Sequence, residues 1–227
     1  MRRVLPSSQW FCKLDAIHGY FQVPLDESSS LLTAFLLPDG KRVYLVAPMG
    51  LNISSDEFNI RSDRAVAEFL GTWLLKIVDD MAIQGSTLQE VFLRLRMVLE
   101  KCREAGIKLS LSKLKVGRQI KFAGFIIGPD GISPDQEKLA AIRHFPTPKN
   151  VTDLKSFLGL ANQLGHFVPD LAQSTLHLRQ LLKKDMSFLW LPIHTEEFAR
   201  ARELLCSLGV VKPFDPSLPS ELSLIHI

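Results

Sequence analysis

Two adjacent carboxylates, Asp79 and Asp80, interrupt an apolar run from Trp73 to Ile83, and no other feature constrains the fold as tightly. Trp73-Leu74-Leu75-Lys76-Ile77-Val78 and Met81-Ala82-Ile83 read as two strand arms, with Gly85 closing the unit. The ionised pair belongs at a tight turn facing water, because a carboxylate buried without a partner loses more in solvation than a short hairpin gains. Alternation along a strand would send the two to opposite faces, whereas a turn brings both towards one side. Phe11 to Asp15 is a second short apolar strand that also ends on a carboxylate. If it neighbours the hairpin in one sheet, three carboxylates converge into a hard-oxygen cage suited to magnesium or manganese, the metals of phosphoryl transfer. The simpler alternative is a polar Asp-Asp turn and a strand-terminating Asp15, and spacing alone favours it.

Around this hairpin the chain divides into a strand-rich part and a helical part. Phe21-Gln22-Val23-Pro24-Leu25 alternates before a polar Asp-Glu-Ser-Ser-Ser break. Residues 31–37 and 41–47 flank Pro38-Asp39-Gly40, whose Asp-Gly predicts a hairpin. Phe58, Val66, Phe69 and Leu70 give a helical pattern stopped by Gly71. Ser86 and Gln89 have capping-box spacing before a helix bearing Phe92, Leu95, Leu99 and Cys102, which Gly106 ends. Strands are expected around 107–111 and 120–127. From Ser133 onward the pattern is helical, starting at Ser133, Pro134 and Gln136 and continuing over 151–167, 171–184 and 195–208.

Composition excludes several classes. With 227 residues, 46% hydrophobic and 22% charged, the chain is long enough to bury a core and is not disordered throughout. A formal charge of +3 does not by itself establish a polyanionic partner. Cys12, Cys102 and Cys206 form no CxxC pair and have no histidine at metal spacing, which argues against a disulfide framework or zinc knuckle and fits a reducing compartment. No apolar run reaches the roughly 18 residues of a membrane span. Pro6-Ser7-Ser8-Gln9 stand where a signal peptide would be apolar, so an intracellular, cytoplasmic protein is expected.

An ordered series of short motifs shifts the balance towards a metal site. Lys13-Leu14-Asp15, Gly19-Tyr20, Gln22, Thr33-Ala34-Phe35, Pro48-Met49-Gly50-Leu51, Val78-Asp79-Asp80 and Phe122-Ala123-Gly124 occur in the order and approximate spacing of reverse transcriptases. Gly131-Ile132-Ser133-Pro134-Asp135, Phe145-Pro146-Thr147-Pro148 and Phe157-Leu158-Gly159-Leu160 resemble the stretch after the palm in gypsy-type LTR retrotransposon polyproteins. The resemblance covers nearly the whole chain. It implies an α+β fold: a polymerase palm of antiparallel sheet backed by helices, with partial fingers, over 1–128, and a helical thumb-like region over 129–184. Residues 185–227 would be the truncated start of a ribonuclease H-like or tether region. The last six, Leu222-Ser223-Leu224-Ile225-His226-Ile227, resemble a translated mosaic-end sequencing adapter and are expected to be a foreign tail.

By position, the resemblance implies that Asp15, Asp79 and Asp80 are catalytic and, with the backbone carbonyl of Ala16, hold two Mg2+ or Mn2+ ions. Tyr20 stands where the family places an aromatic that excludes a 2′-hydroxyl; a core tyrosine is the plain alternative. Pro48, Met49 and Gly50 would frame the nucleotide, and Phe122, Ala123 and Gly124 would form the primer grip. Lys113 or Lys115 would be the general acid for pyrophosphate, against the alternative of a solvated surface lysine. Lys138, Arg143, Lys149 and Lys155 would track phosphates. The implied activity is RNA-directed DNA polymerisation from deoxynucleoside triphosphates on a primed RNA or DNA template, within a larger pol polyprotein, in the cytoplasm or in virus-like particles and without a membrane.

The sequence also departs from that pattern. Ile77 replaces the tyrosine most relatives carry before the aspartates, losing a hydroxyl and a stacking surface. Asn52-Ile53-Ser54-Ser55-Asp56-Glu57-Phe58 replaces a small apolar segment. Fourteen residues precede Asp15 where relatives place a basic fingers segment, so the isolated chain is expected to be incomplete. A catalytically inactive relic that at most binds nucleic acid is the alternative.

Overall fold

The computed structural model describes residues 4–165, 168–183, 186–207 and 209–211. Arg2, Arg3 and the six-residue tail lie outside them, as does most of the stretch beyond Gly209. The described residues fall into two units, one of 4–123 and 127–129, the other of 124–126 and 130–211. Among the described residues no helix is long and apolar enough to cross a membrane.

In the first unit the chain runs through β1 (Trp10–Asp15), α1 (Glu27–Leu32), β2 (Phe35–Leu37), β3 (Gly40–Arg42), α2 (Asn52–Ala65), β4 (Leu74–Ile77), β5 (Asp80–Gly85), α3 (Leu88–Glu104), β6 (Lys115–Gly117) and β7 (Ile120–Phe122). Four strands form a sheet in the order β4-β5-β1-β6, antiparallel at every pairing. Cys12 faces Ile83 and Leu14 faces Met81, so these four share one face, while Lys13 with Ala82 and Asp15 with Asp80 share the other. The first face packs on Val91, Leu95, Val98 and Cys102 of α3, which recur at helical spacing. Each apolar side chain buried there contributes about 1.5–3 kcal/mol. Packing this face on α3 therefore aims Asp15 and Asp80 away from the apolar layer.

Several boundaries differ from the sequence pattern. The helix start expected at Ser86 and Gln89 is shifted by one: the Thr87 hydroxyl accepts from the Glu90 amide at 3.1 Å, and the Glu90 carboxylate accepts from the Ser86 amide at 2.7 Å. The Asp-Glu-Ser break is itself a helix start, because the Asp26 carboxylate accepts from the Ser29 amide at 2.7 Å and caps α1. The alternating segment at 21–25 forms a 3-10 turn at Gly19–Gln22 and then one isolated bridge, Pro24 to Val46. The strand expected at 107–111 is reduced to the bridge between Leu109 and Ala16. The strand expected over 120–127 is broken at Ala123 and Gly124, whose φ values of 47° and 80° turn the chain back.

Beyond that turn come β8 (Phe125–Gly128), β9 (Gly131–Pro134), α4 (Gln136–Arg143), α5 (Val151–Leu164), α6 (Leu176–Gln180) and α7 (Pro192–Cys206). β7, β8 and β9 form a three-stranded sheet in chain order. The second unit has its own core of Leu139, Ile142, Leu154, Phe157, Leu158, Phe198 and Leu205 among others. Phe157 meets Phe145 at 5.4 Å and Phe198 at 4.6 Å between ring centres. Where one helix is expected over 171–184, two 3-10 turns precede α6, because the Thr175 hydroxyl bonds back to the Leu171 carbonyl at 2.8 Å.

Candidate active site

The end of the four-stranded sheet gathers the carboxylates. β4 and β5 are joined by the two-residue turn Val78-Asp79, so Asp80 is the first residue of β5 rather than part of the tip. Val78 has a φ of 53°, a left-handed conformation that a β-branched side chain adopts only under constraint. That turn lies directly against β1: the Ala16 amide donates to the Asp79 carbonyl at 3.1 Å, and Asp15 pairs with Asp80 across the ladder. Asp15 and Asp79 are therefore neighbours in space, brought together by the pairing of β1 with the hairpin. On its other flank β1 is held by the Ser110 amide, which donates to the Asp15 carbonyl at 2.8 Å.

Lysines meet both paired carboxylates. Lys113 donates to Asp15 Oδ1 at 2.7 Å, although the lysine side chain is 61% exposed and that of Asp15 only 10%. The hydrogen bond and charge of Asp15 raise the Lys113 pKa most, burial opposes them slightly, and the charges of Asp79 and Asp80 add to the rise. All three carboxylates thus act on one ammonium. Lys13, two residues before Asp15 on the same face, contacts Asp80 through both oxygens, at 2.9 Å to Oδ1 and 3.0 Å to Oδ2. Asp80 Oδ1 is buried and accepts no hydrogen bond, so it is met by the charge of Lys13 at 2.9 Å without a donated proton. Among the described residues no three His, Cys, Asp or Glu side chains close into a set that holds a metal ion. The sheet brings Asp15, Asp79 and Asp80 to one end, but Asp79 stands exposed in the turn while lysines neutralise the other two. Hard carboxylate oxygens, one of them buried without a donor, fit a divalent cation. The ammonium groups stand where such a charge would act.

The remaining expected residues surround this point in part. Tyr20 is half-buried and meets Phe58 of α2 edge-on at 6.4 Å. Pro48 is buried and its carbonyl accepts from the Ser54 hydroxyl at 2.8 Å, fixing the entry to α2. Met49 is 60% exposed and Gly50 has a φ of 94°, so the segment presents an unencumbered backbone. Phe122 is buried in the first unit, and Ala123-Gly124 forms the turn after it. Lys115 lies in β6 opposite Lys13, whereas Lys113 is the lysine that reaches Asp15. The structure adds two residues with no role assigned from sequence, Lys13 and Gln22. Both stand in the motifs quoted above, and only the three-dimensional pairing shows what they touch.

A family model described as reverse transcriptase (RNA-dependent DNA polymerase) matches residues 2–127. The Transposon Tf2-7 and Tf2-3 polyproteins of Schizosaccharomyces pombe (strain 972 / ATCC 24843) are each 29% identical over 212 residues, covering 93% of this chain. The chain spans 16% of the length of those relatives. Among solved structures, the foamy viral protease-reverse transcriptase in complex with RNA/DNA hybrid aligns with a TM-score of 0.84 at 23% identity, over 96% of this chain and 31% of that one. The same protein in complex with dsDNA aligns at 0.80 and 24% identity, over 93% and 44%. At such identities the likeness shows a shared fold, the mixed helix and antiparallel sheet described above.

Proposed function

The chain belongs to the reverse transcriptase (RNA-dependent DNA polymerase) family, and from that premise we propose that it is the polymerase portion of a gypsy-type retrotransposon polyprotein, adding deoxynucleotides to a primer on an RNA or DNA template. The observation that carries the proposal is the placement of Asp15, Asp79 and Asp80 at one sheet end, with the Lys113 ammonium 2.7 Å from Asp15. In this reading residues 1–128 are palm with partial fingers, 129–184 a thumb-like region and 185–227 the start of a tether or ribonuclease H-like region. In this reading the protein acts inside the cell, in the cytoplasm or in virus-like particles.

Asp15, Asp79, Asp80 and the Ala16 carbonyl would hold two Mg2+ or Mn2+ ions, whose charge favours ionisation of the primer 3′-hydroxyl and stabilises the departing pyrophosphate. Lys113, already at the carboxylates, supplies the proton for that leaving group. Tyr20 presents its ring to the sugar and rejects a 2′-hydroxyl by collision. Pro48, Met49 and Gly50 frame the nucleotide, Met49 and Gly50 through exposed backbone and Pro48 by anchoring the segment to the start of α2, and the turn Phe122-Ala123-Gly124 supports the primer end. Lys138, Arg143, Lys149 and Lys155 contribute salt-dependent attraction to the duplex.

Primer extension with Mg2+ tests the reading. Asp15→Asn and Asp79→Asn are each expected to lower incorporation by more than about 100-fold, beyond what loss of an outer-shell partner causes. Incorporation indifferent to both substitutions rejects the assigned site. Duplex binding without incorporation by the unaltered chain identifies the inactive relic instead.

A further inference from the structure

Gln22 lies two residues after Tyr20, in the 3-10 turn Gly19–Gln22. Its side-chain amide behaves as an additional backbone unit. Nε2 donates to the Ile17 carbonyl at 2.5 Å and to the Lys108 carbonyl at 3.0 Å, while Oε1 accepts from the Lys108 amide at 2.8 Å. The Ile17 amide shares that Lys108 carbonyl at 3.0 Å, Ala16 bridges Leu109, and the Ser110 amide holds the Asp15 carbonyl. Gln22 thus prolongs, with one side chain, the pairing that begins at Asp15, and it closes residues 17–22 onto that ladder.

Two further contacts fix the same loop from the side of α2. Arg61 donates to the Gln22 carbonyl at 3.2 Å and to the Ala105 carbonyl at 2.9 Å. Gly19 is pressed against Phe58, where a Cβ would lie 2.9 Å from the ring. Tyr20 therefore sits between a glycine locked by packing and a glutamine locked by hydrogen bonds, and its own ring rests on the edge of Phe58. A side chain that discriminates sugars by collision works only if its backbone does not yield, since a displacement of about 1 Å already changes such contacts severely.

We propose that Gln22 is a positioning residue for nucleotide selection: its amide clamps the 17–22 loop to Lys108 and thereby holds Tyr20 against the sugar of the incoming nucleoside triphosphate. This rests on the reading of Tyr20 given above. Gln22→Met preserves volume but removes all three hydrogen bonds; Gln22→Glu keeps only an acceptor for the Lys108 amide and faces the two carbonyls with charge.

Two measurements judge the proposal. Amide hydrogen exchange, which needs no turnover, is expected to quicken about tenfold at Lys108 and across 17–23 in Gln22→Met, as for loss of about one net hydrogen bond, with β1 and β5 unchanged. Unaltered exchange there overturns the clamp. In primer extension, discrimination between deoxynucleotides and ribonucleotides is expected to fall about tenfold in both variants, mainly through KM, while kcat for the deoxynucleotide is retained. An equal loss of kcat for both nucleotides marks a merely structural residue and refutes the positioning role. Tyr20→Ala separates the two ideas: if it leaves discrimination intact, the reading of Tyr20 falls, while the exchange result still decides the clamp.

Discussion

Lys13 makes the strongest residue-level demand on the site. Its side chain and that of Asp80 are each 19% exposed, and each answers the other's charge. Replacing Lys13 with Met keeps the aliphatic stem but leaves a partly buried carboxylate unpaired. The expected cost is about 2 kcal/mol in urea unfolding, in the range for hydrogen bonds to charged groups. Lys13→Arg, which restores a cation, is expected to recover most of it. The carboxylates themselves were legible in the sequence, because ionised groups amid apolar strands are conspicuous. Their lysine partners were not: Lys13 and Asp80 are 67 positions apart, and Lys113 and Asp15 are 98 apart, distances over which local pattern carries no pairing information. Gln22 was hidden for the same reason, since its amide acts on a residue 86 positions away. Cys12 and Cys102 are chemically quiet by contrast, since burial alone pushes both thiols up to about 11.

At the scale of elements, helices with a clear apolar stripe were readable and short irregular pieces were not. α3 follows its 3.6-residue period to Gly106, which takes a φ of 69° after it. α1 was concealed because Asp26 and its serines, read as a break, act as a cap. α6 is too short to show a period, and α7 holds it: Glu197 accepts from the amides of His177 and Leu178, at 3.2 and 3.0 Å, and from the His177 ring at 2.7 Å. Burial works against ionisation of Glu197, but the Leu178 amide and the His177 ring and amide outweigh it and hold the pKa below its ordinary 4.5. The unfolded chain therefore binds the proton more readily than the folded one, so this contribution is complete above the ordinary value and is lost as pH falls through the folded one. Glu197→Gln is expected to lower stability by about 1 kcal/mol near neutrality, as for a lost cap. The difference from the unaltered protein should shrink in thermal melts as the pH is lowered below the ordinary value of 4.5 and the carboxylate takes up its proton.

At the scale of the whole molecule, the two units each bury a core of their own, and the passage from strands to helices announces the change in the sequence. The exact passage was less visible, because it falls inside the short β7-β8-β9 sheet, where positive φ at Ala123 and Gly124 breaks what reads as one strand. Phe157, fully buried between Phe145 and Phe198, is the centre of the second core. Phe157→Ala is expected to cost about 3–5 kcal/mol. In hydrogen-exchange mass spectrometry the amides of α5 and α7 should lose protection before those of β1 and β5; simultaneous loss in both sets would mean that the cores melt as one. The placement of β1 also sets a schedule for synthesis. It is sandwiched between β5 and β6, both made long after it, so a ribosome that has emitted Asp15 must add 98 residues before Lys113 exists to meet it. At about 5–20 residues per second that is roughly 5–20 s. Until β5 is made the strand has two open edges, until β6 follows it has one, and until Lys113 exists Asp15 lacks its counterion, so the order of synthesis leaves exposed strand edges that invite mispairing.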